Sequence, residues 1–518
     1  MAEARAAGSR SAAVVTVAIL LSRVVGLVRQ RVTAYYFGTS ATADVVAAAF
    51  RIGNLAQNLL GEGALSATFI PVYARLRGLG EEAAARAFAR RALGALLVAT
   101  AGLTVAGVLA APLVTRVLAA GFHGEKLALT IEQVRLLFPM TGLLVLSAWA
   151  LGVLNAHREF FLPYAAPVLW SLAQIVALAT AALLGFGERG LARALAFGAL
   201  AGACLVTLVL FTRARRHTGS VVPSFSFDDP SLREAVGRFP GVLLGRGVVQ
   251  LSGLVDTLIV SFLGDSAVSA FNYAQTIFLL PMSILGTGEA AASLPELATE
   301  TSITDLTDRN AKLRARIAAS LTRVTVLAIP AVVVMALSSD QLVAVLFRTG
   351  RFDDASTRRV AAAVSVYALA LLGNASSRVL STACFALGDT RTPARLAVVR
   401  VVVSTGLALT LLGRFGMLGV VMGATTAAWV EASMLAWSVR AELGGLGVSR
   451  APVGRLLALT TATAVAAVAS RLVLGDRAAS PLIALASLTA TGLVFALGAV
   501  SLKLVHPGSL LRRHPHRG

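Results

Sequence analysis

Fourteen apolar runs constrain this chain more than any other feature. They fall at about 12–36, 41–74, 90–119, 131–156, 161–184, 190–212, 236–263, 266–298, 312–338, 357–387, 394–413, 416–440, 452–474 and 480–504. Crossing roughly 30 Å of hydrocarbon takes ~20 helical residues. Only helices or closed barrels can do it, because lipid satisfies no backbone hydrogen bond, and these runs are too long for barrel strands. The sequence therefore predicts an all-α polytopic membrane protein with about 14 transmembrane helices. Its 518 residues are 57% hydrophobic and 14% charged, where soluble domains carry about 25% charged residues.

Net charge is +20, from 46 Lys and Arg against 26 Asp and Glu. In a soluble protein that excess would point to nucleic acid. Here the charges flank apolar runs and report topology, so no nucleic-acid partner is expected. Basic residues gather after the second span (Arg75, Arg77, Arg86, Arg90, Arg91), after the sixth (Arg213, Arg215, Arg216, Arg233, Arg238) and after the eighth (Arg309, Lys312, Arg314, Arg316). The tail adds Arg512, Arg513 and Arg517. The positive-inside rule places these connections, and with them both termini, in the cytoplasm. The opposite connections are short and poor in charge, apart from RTGRFDDASTRR at 348–359, read as an outer, partly amphipathic segment. The basic start, MAEARAAGSRSAAVV, leads straight into a charged span and is not expected to be a cleaved signal peptide. Cys204 and Cys384 sit inside apolar runs and imply neither a disulfide nor a metal site.

Landmarks recur at a nearly fixed interval. Gly38 is echoed by Gly264 (offset 226), Val117-Leu118 by Val345-Leu346 (228), Pro163 by Pro393 (230) and Pro71 by Pro295 (224). This predicts duplication of a six-span unit. Six is even, so the halves share an orientation and are related by an axis along the membrane normal. Chance agreement among glycines and prolines is the competing explanation. The plan that follows is a six-helix bundle over 1–220, a second over 221–445, two extra helices over 446–505 and a basic cytoplasmic tail over 506–518. Gly53, Gly61 and Gly63 interrupt the second span, and Gly286 and Gly288 the eighth. They either bend helices or let them pack closely.

The stretch from Ser22 to Tyr73 is apolar yet carries Arg23, Arg29, Arg31, Asp44, Arg51 and Glu62. A charge at the bilayer centre costs about 2.5–3.5 kcal/mol on insertion scales, so such residues face a polar interior. At about 100° per residue, Asp44, Arg51, Asn58 and Glu62 fall within about 40° of one another. Ser22, Gly26, Arg29 and Thr33 share a stripe on the preceding helix, with Arg23 and Gln30 on the adjacent one. Two polar stripes on neighbouring apolar helices predict the wall of a water-accessible cavity. Structural ion pairs, or arginines snorkelling to a headgroup layer, are the alternatives.

No P-loop, zinc-binding His pair or hydrolase nucleophile elbow occurs, so the chain is not expected to be an enzyme or to need a cofactor or metal. Transport would draw on an ion gradient, the membrane potential or the cargo gradient. A positive cavity selects anionic cargo, and planar guanidinium donors suit phosphate or diphosphate oxygens. Asp44 and Glu62 would pair with those arginines when the cavity is empty, titrate, or hold a cation.

The motifs SRVVGLVRQRVTAYYFGTSATADVVAAAFRIGNL, EGALSATFIPVYARL, LVDTLIVSFLG, LPMSILGTGEAAASLPELA, LFRTGRF and ALGDTRTPA together resemble the MviN/MurJ-type lipid II flippases of the multidrug/oligosaccharidyl-lipid/polysaccharide exporter superfamily. The resemblance covers about the first 440 residues in the family's order. It implies two six-helix bundles around a cationic cavity, with the last two helices forming a groove for a polyprenyl tail. The implied cargo is undecaprenyl-diphosphate-linked disaccharide pentapeptide, moved outward across the bacterial inner membrane for peptidoglycan synthesis. Arg23, Arg29 and Asp44 fall on family positions linked to function, and Glu62 on the EG motif. Three positions depart from the family. Gln30 stands where members usually carry Asp, and Gln57 where many carry Arg. Gln275-Thr276 replaces an Asp-Arg pair expected to bind diphosphate, with Arg246 and Asp256 as compensating candidates.

The candidate substrate-binding set is thus Ser22, Arg23, Arg29, Gln30, Asp44, Arg51, Gln57, Asn58, Glu62, Arg246 and Thr276. The leading expectation is a monomeric lipid II flippase working by alternating access among membrane lipids. A flippase for another polyprenyl-linked sugar, an ion-coupled small-molecule antiporter and a non-transporting envelope scaffold are the alternatives.

Overall fold

A computed structural model describes residues 2–283, 306–447, 451–474, 481–502 and 504. These form helices with no strand among the described residues. In order they are α1 (Ala2–Phe37), α2 (Ala41–Leu60), α3 (Glu62–Gly78), α4 (Glu82–Leu118), α5 (Gly124–Ala156), α6 (Phe161–Ala165), α7 (Pro167–Leu183), α8 (Glu188–Thr218) and α9 (Pro230–Ser261). A helix over 267–283, here α10, follows. Then come α11 (Leu306–Leu337), α12 (Ser339–Phe347), α13 (Asp354–Ala386), α14 (Arg391–Phe415), α15 (Met417–Leu443), α16 (Ala451–Leu474) and α17 (Pro481–Ser501). Gly286, Gly288, Pro295 and the basic tail lie outside the described residues.

Nine spans among the described residues are long and apolar enough to cross a membrane: α4, α5, the α6–α7 pair, α8, α11, α13, α14, α15 and α17. Of the other five expected spans, that over 41–74 is split between two helices, and the rest include residues or side chains outside those described; Ser252–Ser261 and Gly454–Ser470 stand as shorter apolar helices. Three of the five, α1, α2 and α9, hold intramembrane charges singled out above. The expected second span is two helices. Its break is at Gly61 (φ −81°, ψ −135°), where an added Cβ would lie 2.5 Å from the Gln57 carbonyl oxygen. Gly53 and Gly63 sit within helices and break neither.

The chain divides into two compact units, Met1–Ser269 and Ala270–Gly518. In the first, α5 is the axial helix; 72% of its most apolar window is buried, against 22% for α4. Around its C-terminal half Phe69, Tyr73 and Phe88 stack at 5.3–5.4 Å, and Trp149 donates its indole N–H to the Ala89 carbonyl at 2.9 Å. α9 packs on α2, α3 and α4, which is why the compact division falls after it. In the second unit α13 packs on α11 and α15, α14 lies on α15, and α16 pairs with α17.

The backbone repeats with the sequence. Left-handed φ angles occur at Gly38 (56°) and Gly264 (84°), Gly124 (54°) and Gly350 (55°), Arg158 (59°) and Gly388 (84°), Gly185 (75°) and Gly416 (55°), and Gly219 (72°) and Gly444 (74°). Every pair is separated by 225 to 231 residues. Helix contacts repeat too. An added Cβ at Gly198 of α8 would meet the Gln174 Cα of α7 at 3.0 Å, and one at Gly423 of α15 would meet the Ser404 carbonyl of α14 at 2.7 Å. Gln174 and Ser404 are 230 positions apart.

Candidate functional site

The polar stripe of α2 forms inside the first unit. Ser40 caps α2, its hydroxyl accepting from the Ala43 N–H at 3.2 Å, and this sets Asp44 in the first turn. A carboxylate there complements the helix dipole. Asp44 is fully buried. Its Oδ2 accepts from Lys126 Nζ at 2.7 Å and from the Ser266 N–H at 2.8 Å, and its Oδ1 from the Ser269 N–H at 2.7 Å. Ser266 has φ 73°, uncommon for a residue with a side chain. The Asp44 carboxylate therefore holds a strained turn in place. Lys126 also reaches Asp265 Oδ1 at 2.9 Å and lies 4.1 Å from the centre of the Phe122 ring.

Two turns along, the Arg51 guanidinium donates to the Gly253 carbonyl at 2.9 Å. An added Cβ at Gly253 would lie 2.4 Å from Arg51 Nη2, so glycine is what lets the arginine approach. Asn58 follows, donating to Gln250 Oε1 at 3.2 Å. Asp44, Arg51 and Asn58 of the expected stripe meet α9 or the turn after it, while Glu62 opens the next helix, α3, beyond the break at Gly61.

Arg29 lies on a different seam. Its guanidinium donates to Gln174 Oε1 at 3.1 Å and sits 4.9 Å from the centre of the Trp170 ring, both on α7. Gln174 is buried and donates back to the Trp170 carbonyl at 3.1 Å, fixing the amide that receives Arg29. Arg23 is exposed on α1, and Ser22, Gln30 and Gln57 are half-buried. Thr276 belongs to α10 in the second unit, where its hydroxyl donates to the Asn272 carbonyl at 2.9 Å. The side chains of Glu62 and Arg246 lie outside the described residues.

Lys126 is the participant that sequence reasoning missed. The fourth span was expected to begin near 131, but α5 starts at Gly124 and carries Lys126 in its first turn. A signal existed: Lys126 is a lone lysine in a connection otherwise read as poor in positive charge.

The other end of α9 is fastened by Glu234, which takes a bidentate pair from Arg75 at 3.1 and 2.6 Å and a third contact from Arg238 at 2.7 Å. Nearby, Tyr73 meets His157 Nε2 at 3.2 Å, His157 stacks on His217 at 4.0 Å, and His217 meets Glu159 at 3.0 Å. Hydrogen bonds from Arg213 hold the Glu159 carboxyl below its usual range. Burial, then the charges of His217 and Arg77, pushes His157 from 6.5 down to about 4.

Duplicated helical units with guanidinium groups lodged among their spans define a multi-pass helical membrane protein. Solved structures share the fold. A lipid II flippase MurJ in an inward closed conformation aligns over 96% of this chain and 99% of that one, with TM-score 0.78 at 19% identity. An inward-facing multidrug resistance MATE family transporter of the MOP superfamily aligns over 82% and 95%, with TM-score 0.68 at 18% identity. The chain belongs to the lipid II flippase MurJ family, whose sequence profile matches residues 33–489. The lipid II flippase MurJ of Burkholderia cenocepacia is 31% identical over 388 residues, 73% of each chain. A probable lipid II flippase MurJ of Rhizobium meliloti is 32% identical over 426 residues, 81% of this chain and 78% of the relative.

Proposed function

We propose that this chain is a lipid II flippase of the bacterial inner membrane, moving the undecaprenyl-diphosphate-linked peptidoglycan precursor to the outer leaflet for cell-wall synthesis. The family match across residues 33–489 carries this reading. The cargo's diphosphate is anionic, and guanidinium donors suit its oxygens. Arg23, Arg29 and Arg51 are assigned to its head group, with Ser22, Gln30, Gln57, Asn58, Glu62, Arg246 and Thr276 as further contacts. Asp44 governs the seam between α2 and α9. Transport proceeds by alternating access, driven by an ion gradient or the membrane potential, in a monomer with both termini in the cytoplasm. The groove between α16 and α17 takes the polyprenyl tail.

Complementation of a flippase-depleted bacterium tests this reading. The unaltered chain restores growth, and Arg29→Ala and Arg23→Ala each abolish it at equal membrane expression. Rescue that survives both changes removes the anion-binding role. An unaltered chain that is well expressed and fails to rescue removes lipid II as cargo. The absence of charge at Gln275-Thr276 favours a different polyprenyl-linked sugar in that case.

A further inference from the structure

Two arginines, Arg378 and Arg400, stand inside spans of the second unit. α13 ends at Ala386 and α14 begins at Arg391. Arg378 stands eight residues before the first point and Arg400 nine after the second. At 1.5 Å per residue both sit roughly 12–14 Å from the connection. Both helices qualify as membrane spans. Arg400 donates to Glu431 Oε2 on α15 at 2.9 Å, and Glu431 is 9% exposed. Arg378 is exposed, close enough to Arg400 for their charges to repel, and has no carboxylate beside it among the described residues. Two guanidiniums against one carboxylate leave a net positive charge within the span, where an ionisable group marks a function.

The repeat places this charge at a meaningful position. An offset of 230 carries Trp170 onto Arg400 and Gln174 onto Ser404. In the first unit those two residues receive the Arg29 guanidinium. The same face of the repeated helix therefore meets a guanidinium in both units. α1 supplies it in the first, while α14 carries its own in the second, with Arg378 of α13 beside it.

We propose that Arg378 and Arg400 form an oxyanion site in the second unit that takes the phosphate group of a lipid, with Glu431 limiting its charge to one positive excess. This deepens the flippase reading by adding a phosphate contact, and rests on that reading only for the identity of the lipid. Planar guanidiniums supply paired donors to phosphate oxygens, and the low-dielectric setting strengthens each bond.

Native mass spectrometry of the purified full chain tests it. The probe is dioleoyl phosphatidic acid, with dioleoylglycerol as the uncharged control and inorganic phosphate as competitor. Arg378→Gln is expected to bind phosphatidic acid about tenfold more weakly than the unaltered chain. Glu431→Gln, which frees Arg400, is expected to bind it about threefold more tightly. Arg378→Lys keeps the charge and falls between the Gln variant and the unaltered chain. Arg116→Gln in α4 removes an exposed arginine of the first unit and serves as the charge control. Competition by inorganic phosphate means the site reads the free group; no competition means it reads the group only when lipid-borne. Either outcome supports the site. It is overturned if Arg378→Gln binds like the unaltered chain or loses no more than Arg116→Gln does. The two proposals fail separately: a chain that binds phosphatidic acid through Arg378 yet cannot rescue a flippase-depleted cell keeps this site and loses the flippase reading.

Discussion

The two ends of α9 are fastened in the same style but in different surroundings. Each has a carboxylate held by cations: Asp44 by Lys126, and Glu234 by Arg75 and Arg238. Asp44 is fully buried and takes two backbone N–H groups as well, whereas the Arg75 and Glu234 side chains are 51% and 28% exposed. Exposed pairs contribute little because water and salt screen them. Breaking a buried pair is costly because one charge is left unsolvated. Burial, not the count of ion pairs, sets what each fastening contributes.

The largest expected effect comes from Asp44→Ala, which leaves the mostly buried Lys126 with the exposed Asp265 carboxylate alone and releases two N–H groups of a strained turn. A loss of about 3–5 kcal/mol is expected, read as a collapse in the thermal melt of the purified protein. Asp44→Ala with Lys126→Ala should lose less than the two single changes added together. If Asp44→Ala melts like Arg75→Ala, the contrast between the ends is wrong. Next comes Gly253→Ala, whose new Cβ must displace the Arg51 guanidinium. The flexible guanidinium can swing aside, so the cost is that of its bond to the Gly253 carbonyl, about 1 kcal/mol, and it is relieved when Arg51 is also changed to Ala.

Acid sharpens the comparison at the exposed end. His157 takes up its proton near 6.5 when unfolded and near 4 when folded. Between those values the unfolded chain binds more protons, so stability falls as pH drops from about 6.5 towards 4 and is flat above. His157→Gln should flatten that part of the melting curve; an unchanged pH profile would remove the His157 account. The smallest effect belongs to Arg75→Ala, expected to shift the melt barely beyond scatter and to do so less as salt is raised.

Much of the fold could be read from residues alone. Apolar length announced the spans, and the turn at Phe37-Gly38 appeared where expected because Gly38 takes a left-handed φ of 56°. The 100° arithmetic placed Asp44, Arg51, Asn58 and Glu62 on one stripe; the first three share one seam, but the break at Gly61 puts Glu62 on the next helix. What faces them was not legible. Lys126 lies 82 positions from Asp44, and Gly253 lies 202 from Arg51. No local period connects such distant residues; packing alone does. Arg29 shows the same limit, since nothing near it in sequence announces Gln174, 145 positions away. The break at Gly61 was foreseeable from glycine, but Gly53 and Gly63 looked alike in sequence and break nothing.

Arg51 grips a main-chain oxygen, and that choice has a mechanical consequence. Every residue of α9 offers a carbonyl, and at position 253 the missing side chain leaves room for the guanidinium. A slide of one residue, about 1.5 Å along the axis and 100° around it, would drive Leu254 into the arginine. The contact acts as a detent: it favours the present register of the two helices over its neighbours.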